Sequence, residues 1–255
     1  MRLRVPSVDL ILPVYNEAPQ VPEVLPRVRR WLEARPSASA VFVDDGSSDG
    51  TADAIERGIH DEAAPRAAIR LERSPVNRGK GAVVRDAVLA SRADLVCFTD
   101  GDLAYDLDHV DRLVDALRDA DVAIGSRHLV KQEGAIPSLR RRMGGAMFNL
   151  AVRLLIGLRF RDTQAGLKGF RASAAQRIFS RSRIDDFAFD VEILHLAKLE
   201  GLRVVEIPAK VSRDHAALGT NVKLTRDPWR MLRSLWRVRR IHRAPTRPRA
   251  AAIAV

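Results

Sequence analysis

Two carboxylates follow a short apolar run in this 255-residue sequence, at a spacing that suits a divalent cation. Leu95–Thr99 ends in Asp100-Gly101-Asp102. Carboxylates at positions i and i+2 can converge on one hard cation, and the glycine between them leaves room for its ligand. Mg²⁺ or Mn²⁺ takes few protein carboxylates and completes its shell with water and phosphate oxygens. Isolated D-x-D tripeptides are common in turns, so the position after a buried strand is what favours a metal site.

A second acidic pair, Asp44 and Asp45, ends another apolar run. Adjacent carboxylates repel each other and need cations or hydrogen-bond donors to hold them. A carboxylate can also accept hydrogen bonds from the N–H groups of a nucleobase. Asp49 and Thr51, which follow, are typical of a turn and a helix cap. The pair therefore indicates either a nucleoside site or a structural turn.

Glycines and a lysine precede a predicted helix in the segment Asn77-Arg78-Gly79-Lys80-Gly81. Glycine lets the backbone approach a ligand, and the helix N-terminus together with Lys80 favours an anion such as diphosphate. The spacing is not that of a Walker A motif, so a P-loop is not predicted. Taken alone, this turn is weak evidence for phosphate binding.

These motifs lie in a series of strands and helices. Short β-branched apolar runs predict buried strands, and stretches with helical periodicity alternate with them. This alternation predicts an α/β domain with right-handed βαβ units, a mostly parallel sheet and ligands beyond the carboxyl ends of its strands. The predicted strands are Val8–Val14, 40–43, 67–71, Leu95–Thr99 and 122–125, and the predicted helices are 21–34, Thr51–Ile59, 81–91 and 108–120.

After Ser126 the pattern changes. The sequence predicts a basic helix with an apolar face, a loop with a short strand, a helix, a strand and a final helix, at residues 138–158, 161–170, 190–200, 203–207 and 228–242. Residues 1–243 are expected to form a single domain. Residues 244–255, where prolines stand among arginines and alanines, are expected to be a disordered tail.

Composition excludes several classes of protein. Hydrophobic residues make up 46% and charged residues 29% of the chain, which is typical of a globular domain. The single cysteine, Cys97, lies in an apolar run, so no disulfide can form within the chain and a reducing compartment is favoured. We find neither a secretory signal nor a segment of roughly 20 apolar residues. The sequence therefore predicts a protein that does not cross a membrane by itself.

The formal net charge of +11 predicts an anionic partner: nucleic acid, anionic lipid or a phosphorylated substrate. Nucleic-acid binding does not explain buried strands that end in acids, so we expect no nucleic-acid partner. The final helix combines tryptophans with arginines, which suits an anionic membrane surface, and the helix at 138–158 is a second candidate. Packing of the apolar face on the domain is an equally consistent alternative. The residues at helical spacing are Trp229, Leu232, Leu235, Trp236 and Arg239.

Taken together, the motifs resemble glycosyltransferase family 2, from about residue 8 to residue 240. PVYNE, DDGSSDGT, NRGKG and DGD occur in the family's order and at its spacing, at residues 13–17, 44–51, 77–81 and 100–102. Residues 162–170 are similar to the D-T-Q-x-G-x-K-x-F segment of the dolichyl-phosphate and polyprenyl-phosphate glucose and mannose synthases. The resemblance implies a GT-A type α/β fold, with a nucleotide-sugar half at about 1–127 and an acceptor half at about 128–243.

The resemblance also implies roles for individual residues. Asp100 and Asp102 are the implied metal ligands, and Arg127 and Arg141 are implied to bind the acceptor phosphate. The implied catalytic residues are Asp102, Arg127 and Arg141. With Lys80 of the glycine-rich turn included, the expected donor-binding residues are Pro13, Tyr15, Glu17, Val43, Asp45, Lys80, Asp100, Gly101, Arg213 and Lys223.

The activity implied is inverting, metal-dependent transfer of a hexose from UDP-glucose or GDP-mannose to a polyprenyl or dolichyl phosphate. The expected location is peripheral, on the cytoplasmic face of the membrane. An acceptor phosphate is already anionic and needs no strong base, so positioning and cations suffice. A soluble or cell-wall hydroxyl acceptor is the alternative; it requires a carboxylate base, for which Asp186 and Asp190 are the candidates. Asp190 and Glu192 could equally be helix N-terminal residues, and for Glu192 the structural role is favoured.

Overall fold

The computed structural model describes residues 5–61, 68–130, 139–186, 188–212 and 228–242, without the side chains of residues 139–146 and 228–231. Seven strands form one sheet in the order β3-β2-β1-β4-β6-β5-β7. All neighbours are parallel except β6, which runs antiparallel to both β4 and β5. The strands are β1 (Val8–Val14), β2 (Ala38–Asp44), β3 (Ile69–Arg73), β4 (Leu95–Thr99), β5 (Val122–Ser126), β6 (Leu167–Arg171) and β7 (Val204–Pro208). The sheet is mostly parallel, as predicted.

Helices cover both faces of the sheet. They are α1 (Val21–Glu33), α2 (Thr51–Ile59), α3 (Lys80–Ala90), α4 (Asp108–Ala116), α5 (Leu139–Leu155), α6 (Ala172–Phe179), α7 (Phe189–Leu199) and α8 (Pro228–Ile241). Short 3₁₀ helices occupy Ala18–Gln20 and Arg127–Leu129. Within the described part of the chain, none of the helices is both long enough and apolar enough to cross a membrane.

The core is divided by the sheet into two clusters. Successive side chains of a strand point to opposite faces, so Leu10 and Leu12 of β1 pack with α1, α2 and α4, whereas Ile11 packs on the other face with α3, α5, α6, α7 and α8. β2 behaves in the same way, with Phe42 on the first face and Val41 on the second. Because both faces are covered, these strands are mainly apolar in the sequence, with Asp9, Ser39 and Asp44 as the polar exceptions.

The predicted elements agree with the structure for β1, α2 and β4, which have the predicted bounds. β3 is predicted at 67–71, but in the structure it begins at Ile69 and continues to Arg73. It lies at the exposed edge of the sheet, where charged side chains are tolerated, so its end could not be recognised from an apolar pattern. α6 was not predicted. It is only eight residues long, and its buried residues Ala174, Ala175, Ile178 and Phe179 do have helical spacing, so the signal was present and was missed.

Candidate active site

The loops that follow β1 and β2 are joined at the carboxyl edge of the sheet. The amide of Asn16 donates to Ser47 Oγ and the amide of Ser48 donates to Asn16 Oδ1, both at 2.9 Å, and the amide of Glu17 donates to Thr51 Oγ1 at 2.8 Å. Asn16 adopts a left-handed backbone conformation with φ of 53°, which asparagine tolerates better than most residues. The first two sequence motifs therefore form one structural unit.

An acidic cluster lies beside this unit, made by the turn after β4 and by Glu17. A Cβ at Gly101 would lie 2.4 Å from Val14 Cγ1 and 3.0 Å from Glu17 Oε2, so glycine is needed for the turn to approach β1. Glu17 Oε2 is buried and has no hydrogen-bond partner within the described residues. Burial, followed by the charges of Asp102 and Asp100, raises the pKa of Glu17 to about 8. Without a further cation beside it, this surrounding therefore favours the uncharged form of Glu17, and a bound cation would favour the charged one.

Lys80, the first residue of α3, supplies one cation to this cluster. Its ammonium forms a short ion pair with Asp100 Oδ1. Burial alone lowers the pKa of Lys80, but the neighbouring carboxylates, led by Asp100, raise it above its usual value. A lysine that already lies between acids is placed to exchange a carboxylate for a phosphate when an anionic ligand arrives.

Asp45 holds the turn that carries Lys80. Its carboxylate is buried, and Oδ1 accepts the amide N–H of Arg78 at 2.7 Å while Oδ2 accepts that of Gly79 at 2.9 Å. Gly79 has a φ of 94°, which only glycine adopts readily. The neighbouring Asp44 accepts the amide N–H of Ser47 at 3.1 Å. Hydrogen-bond donors therefore hold both oxygens of Asp45 and one of Asp44, while Asp44 Oδ1 is buried without a hydrogen-bond partner among the described residues. Asp45 links β2 to the glycine-rich turn.

The DTQ segment meets the end of β5 through an ion pair. Arg127 Nε donates to Asp162 Oδ2 at 2.6 Å and Nη2 donates to Oδ1 at 2.9 Å, in bidentate geometry. Burial alone raises the pKa of Asp162, but the hydrogen bonds and charge of Arg127 lower it below its usual value. The Arg127 side chain keeps 41% exposure, whereas that of Asp162 keeps 3%. Asp162 therefore orients a guanidinium that still faces solvent.

The same segment also contacts Asp100, one of the two predicted metal ligands. A Cβ at Gly166 would lie 2.0 Å from Asp100 Oδ2, so the backbone of Gly166 lies directly against Asp100. Lys168 is fully buried in β6, and its ammonium donates to Ala165 O at 2.6 Å and to Asp190 Oδ1 at 2.5 Å. These contacts fix the loop around Gly166.

Sequence reasoning assigned residues 162–170 to a family branch without these individual roles. A lysine inside the apolar strand LKGF was a usable signal, because a buried ammonium needs an acidic partner. The partner itself, Asp190, was predicted as a candidate base or a helix N-terminal residue. The structure places Asp190 in the first turn of α7, paired with Lys168, and Asp186 accepts the amide N–H of Ala188 at 2.9 Å. Asp190 is thus engaged by a buried lysine, whereas the side chain of Asp186 keeps 46% exposure.

The remaining predicted residues divide into three groups. Pro13 and Val43 are buried near the ends of β1 and β2, and Tyr15 is 46% exposed just beyond β1. Arg141 lies in α5, but its side chain is outside the description. Arg213 and Lys223 lie outside the described residues. The structure therefore brings together the predicted residues of the first half, and their assigned roles stay predictions.

The acidic cluster fits a hard divalent cation. In the described ranges, no group of three His, Cys, Asp or Glu side chains is placed to hold a metal by itself. Asp100 and Asp102 offer oxygen ligands, which Mg²⁺ and Mn²⁺ prefer, and such ions take the rest of their shell from water and phosphate. The unpartnered oxygen of Glu17 also fits a site that lacks positive charge. A cation held jointly by protein and diphosphate matches this set.

A mostly parallel sheet that carries acidic and glycine-rich loops at its carboxyl edge is typical of α/β domains that bind ligands at that edge. The sequence model described as Glycosyl transferase family 2 matches residues 9–184. The chain belongs to glycosyl transferase family 2 and is therefore a glycosyltransferase.

Two relatives are similar over most of this chain. A dolichyl-phosphate beta-glucosyltransferase of Dictyostelium discoideum is 30% identical over 91% of this chain and 76% of its own length. The Homo sapiens dolichyl-phosphate beta-glucosyltransferase is 31% identical over 79% of this chain and 66% of its own length. The chain thus spans about two thirds to three quarters of the length of these relatives.

A solved structure shows the same architecture. It is the mannosyltransferase PcManGT from Pyrobaculum calidifontis in complex with GDP-Man and Mn²⁺, with a TM-score of 0.58 and 22% identity over 81% of this chain and 57% of that one. The fold is of the GT-A type, as predicted.

Proposed function

We propose that this chain is an inverting, metal-dependent hexosyltransferase that moves a sugar from a nucleotide diphosphate to a polyprenyl phosphate. The observation that carries the proposal is the acidic cluster of Glu17, Asp100 and Asp102 with one lysine beside it. The names of the two relatives support a lipid phosphate acceptor and favour glucose as the sugar. The Mn²⁺ and GDP-Man of the similar structure support a divalent ion and a nucleotide-sugar donor.

On the donor side, Asp100 and Asp102 are proposed to hold Mg²⁺ or Mn²⁺. Such an ion, when bound, neutralises charge on a departing diphosphate. Lys80 is proposed to leave Asp100 and pair with the diphosphate, while Asp45 keeps its turn in place through two backbone hydrogen bonds. Pro13, Tyr15, Glu17 and Val43 surround the proposed nucleoside position. Arg213 and Lys223 complete the proposed donor set.

On the acceptor side, Arg127 is proposed to bind the lipid phosphate. Its bidentate pair with buried Asp162 fixes the guanidinium before the acceptor arrives, which lowers the cost of ordering it. Arg141 is the proposed second cation. An arginine suits this task because its planar fork remains charged and matches phosphate geometry.

In the proposed reaction, an anionic oxygen of the acceptor phosphate attacks the anomeric carbon of the sugar. The bond from that carbon to the diphosphate oxygen breaks, the diphosphate leaves with the electron pair, and the anomeric configuration inverts. No proton has to be removed, because the attacking oxygen is already charged. The ion pair of Asp190 with buried Lys168 supports this choice over a hydroxyl acceptor that would use Asp190 as its base.

Lipid extraction tests the acceptor directly. With Mn²⁺ and polyprenyl phosphate, label from UDP-[¹⁴C]glucose or GDP-[¹⁴C]mannose should enter the organic phase, because the product carries the lipid chain. Parallel reactions with polyprenol lacking phosphate, and with the metal chelated, should leave the label in the aqueous phase. Transfer of label to polyprenol or to a soluble sugar, with none to the lipid phosphate, contradicts the proposal.

The C-terminal helix is proposed to contact an anionic membrane. Leu235 and Val238 are fully buried in the same apolar cluster as Val152 of α5, so packing on the domain holds for that face. Apolar side chains on other faces of the two helices remain exposed. This α5–α8 surface consists of Met147, Leu150, Leu154, Leu232 and Trp236, which are 62%, 56%, 73%, 39% and 56% exposed.

The charge around these side chains favours anionic lipid as the partner. The exposed positions of the two helices also carry arginines, namely Arg153, Arg233, Arg237, Arg239 and Arg240. Basic side chains next to exposed leucines and a tryptophan suit the interface of an anionic bilayer, which contributes about 1 kcal/mol per basic residue near its surface. Such a surface would bring the acceptor side of the enzyme to a lipid-borne phosphate.

Vesicle sedimentation tests this surface. The double variant Leu154→Glu/Trp236→Glu should bind vesicles of phosphatidylglycerol and phosphatidylcholine about ten-fold more weakly than wild type, because it removes two apolar contacts and adds charges of the same sign as the lipid. Val5→Glu is the matched control, since Val5 is 70% exposed before the start of β1. Equal binding of wild type and double variant contradicts the proposal, as does a concentration-dependent dimer that the double variant abolishes.

A further inference from the structure

Glu192 is a buried carboxylate that the proposed reaction does not use. It lies in the first turn of α7 and is fully buried. Its Oε1 accepts the amide N–H of Arg183 at 2.8 Å and its Oε2 accepts that of Ile184 at 3.0 Å. Nε2 of His242, the residue directly after α8, lies 2.6 Å from the same Oε1. One carboxylate therefore ties the end of the C-terminal helix to residues 183–184.

Residues 184–185 lie directly against the glycine-rich turn. The amide of Gly81 donates to Asp185 O at 3.0 Å. A Cβ at Gly79 would lie 2.5 Å from Asp185 O, and a Cβ at Gly81 would lie 2.5 Å from Ile184 O. Arg85 of α3 adds a side-chain contact, with Nη2 at 2.7 Å from Asp185 Oδ1. The backbone of the glycine-rich turn is therefore in direct contact with the backbone of residues 184–185. A displacement of residues 183–185 would also displace this turn.

In this position, the glycine-rich turn places Lys80 beside Asp100. It has two supports: Asp45 on the side of β2, and residues 183–185 on the side of α7. Glu192 has no contact with Asp100 or Lys80 among its described hydrogen bonds, and it acts on the turn only through residues 183–185.

We propose that Glu192 and His242 are positioning residues for donor binding, linking the end of α8 through residues 183–185 to the turn that carries Lys80. This inference rests on the proposed function, because it takes the turn to be the diphosphate site. Loss of the link weakens binding of the nucleotide diphosphate. It leaves the chemical step at saturating donor nearly unchanged, because Asp102 and Arg127 keep their own supports.

The decisive variant is Glu192→Gln. A glutamine has the same shape but only one acceptor oxygen, so its NH₂ group meets a backbone N–H that the carboxylate accepted. We expect KM for the nucleotide sugar, and Kd for UDP or GDP with Mn²⁺ by calorimetry, to rise about ten-fold, as for loss of a hydrogen bond to a charged group. At saturating donor, kcat should stay within about two-fold of wild type. Hydrogen exchange at the Gly81 amide should become faster, because that amide donates to Asp185 O.

Glu200→Gln is the matched control on the same helix. Glu200 caps the C-terminal end of α7 and pairs with Arg177 and Arg181, away from the turn. The Glu200→Gln variant should have a lower melting temperature than wild type, with the same KM and the same hydrogen-exchange rate at the Gly81 amide. His242→Gln is the second variant, which leaves both backbone hydrogen bonds of Glu192 in place and decides the matter if Glu192→Gln does not fold. It should raise KM in the same direction by a smaller factor.

The outcomes separate this inference from the proposed function. If wild type binds neither UDP nor GDP with Mn²⁺, the donor site itself is wrong. If wild type binds one of them and the folded Glu192 or His242 variant binds it equally well, the link is refuted while the proposed function stands. A variant that loses thermal stability to the same degree as Glu200→Gln, with KM unchanged, shows a purely structural role and also refutes it.

Discussion

Asp102→Asn should abolish sugar transfer while leaving the fold intact. The amide oxygen of asparagine can still accept the N–H of Ala104, which donates to Asp102 Oδ1 at 3.0 Å, so the turn after β4 keeps its local hydrogen bond. What is lost is the negative charge that is proposed to hold the cation. We expect kcat to fall on the order of a thousand-fold, because a bound cation supplies several kcal/mol of transition-state stabilisation.

Asp108→Asn is the control for this variant. Asp108 begins α4 six residues further on, is exposed, and makes the same change of charge outside the acidic cluster. Both variants should give the circular dichroism spectrum of wild type. Calorimetric titration with Mn²⁺ in the presence of UDP or GDP should show binding for Asp108→Asn and wild type only. Full transfer by Asp102→Asn, or by wild type freed of metal, would remove the basis of the metal-dependent proposal.

Local sequence patterns predicted β1, β2 and β4 of the first half because these strands are buried on both faces. β1 and β4 are apolar runs bounded by turn residues, with Asp9 the one charged residue among them, so their ends could be located. The polar residues that follow them were therefore expected at one edge of a parallel sheet. The contact between Gly101 and the end of β1 follows from the pairing of these two strands. Proximity of the motifs was therefore predictable, although their individual contacts were not.

The contacts of the DTQ segment could not be predicted from local pattern. β6 inserts between β4 and β5 in antiparallel orientation, so its beginning lies at the carboxyl ends of both neighbours. That placement brings Asp162 to Arg127 and Gly166 to Asp100, over separations of 35 and 66 residues. Hydrophobic periodicity gives the existence of a strand but not its neighbours or its direction. The contact of Lys80 with Asp100 depends in the same way on how α3 is placed against the sheet.

The sequence left two alternatives for the apolar residues of α8, packing on the domain and contact with a membrane surface. The structure shows packing for one face and leaves other apolar side chains exposed, so membrane contact stays a proposal. Leu235 and Trp236 are adjacent in the sequence, yet Leu235 is fully buried and Trp236 is 56% exposed. Helical periodicity groups apolar residues, but it does not say which side packs on the domain when a helix is apolar on more than one side. Only the position of α5 and α7 separates the packed face from the exposed one.

Gly166→Ala should reduce transfer on the order of a hundred-fold by displacing a proposed metal ligand. The φ angle of Gly166 lies outside the left-handed region, so alanine meets no backbone strain, and the effect is steric. The new methyl group would lie 2.0 Å from Asp100 Oδ2 and 2.5 Å from Cγ, which forces the carboxylate to move. Since that carboxylate also pairs with Lys80, both the proposed cation site and the lysine are disturbed by one methyl group.

Gly169→Ala separates this effect from a general loss of packing. Gly169 lies in β6, where a Cβ would be 3.1 Å from Cys97 Sγ and 3.2 Å from Leu113 Cβ, in the core and away from Asp100. Both variants should lower the melting temperature, whereas only Gly166→Ala should weaken Mn²⁺ binding in the presence of UDP or GDP and lower kcat. If Gly166→Ala binds Mn²⁺ and transfers sugar as wild type does, then the position of Asp100 does not matter for the reaction. Asp100 would in that case not be a ligand of the cation.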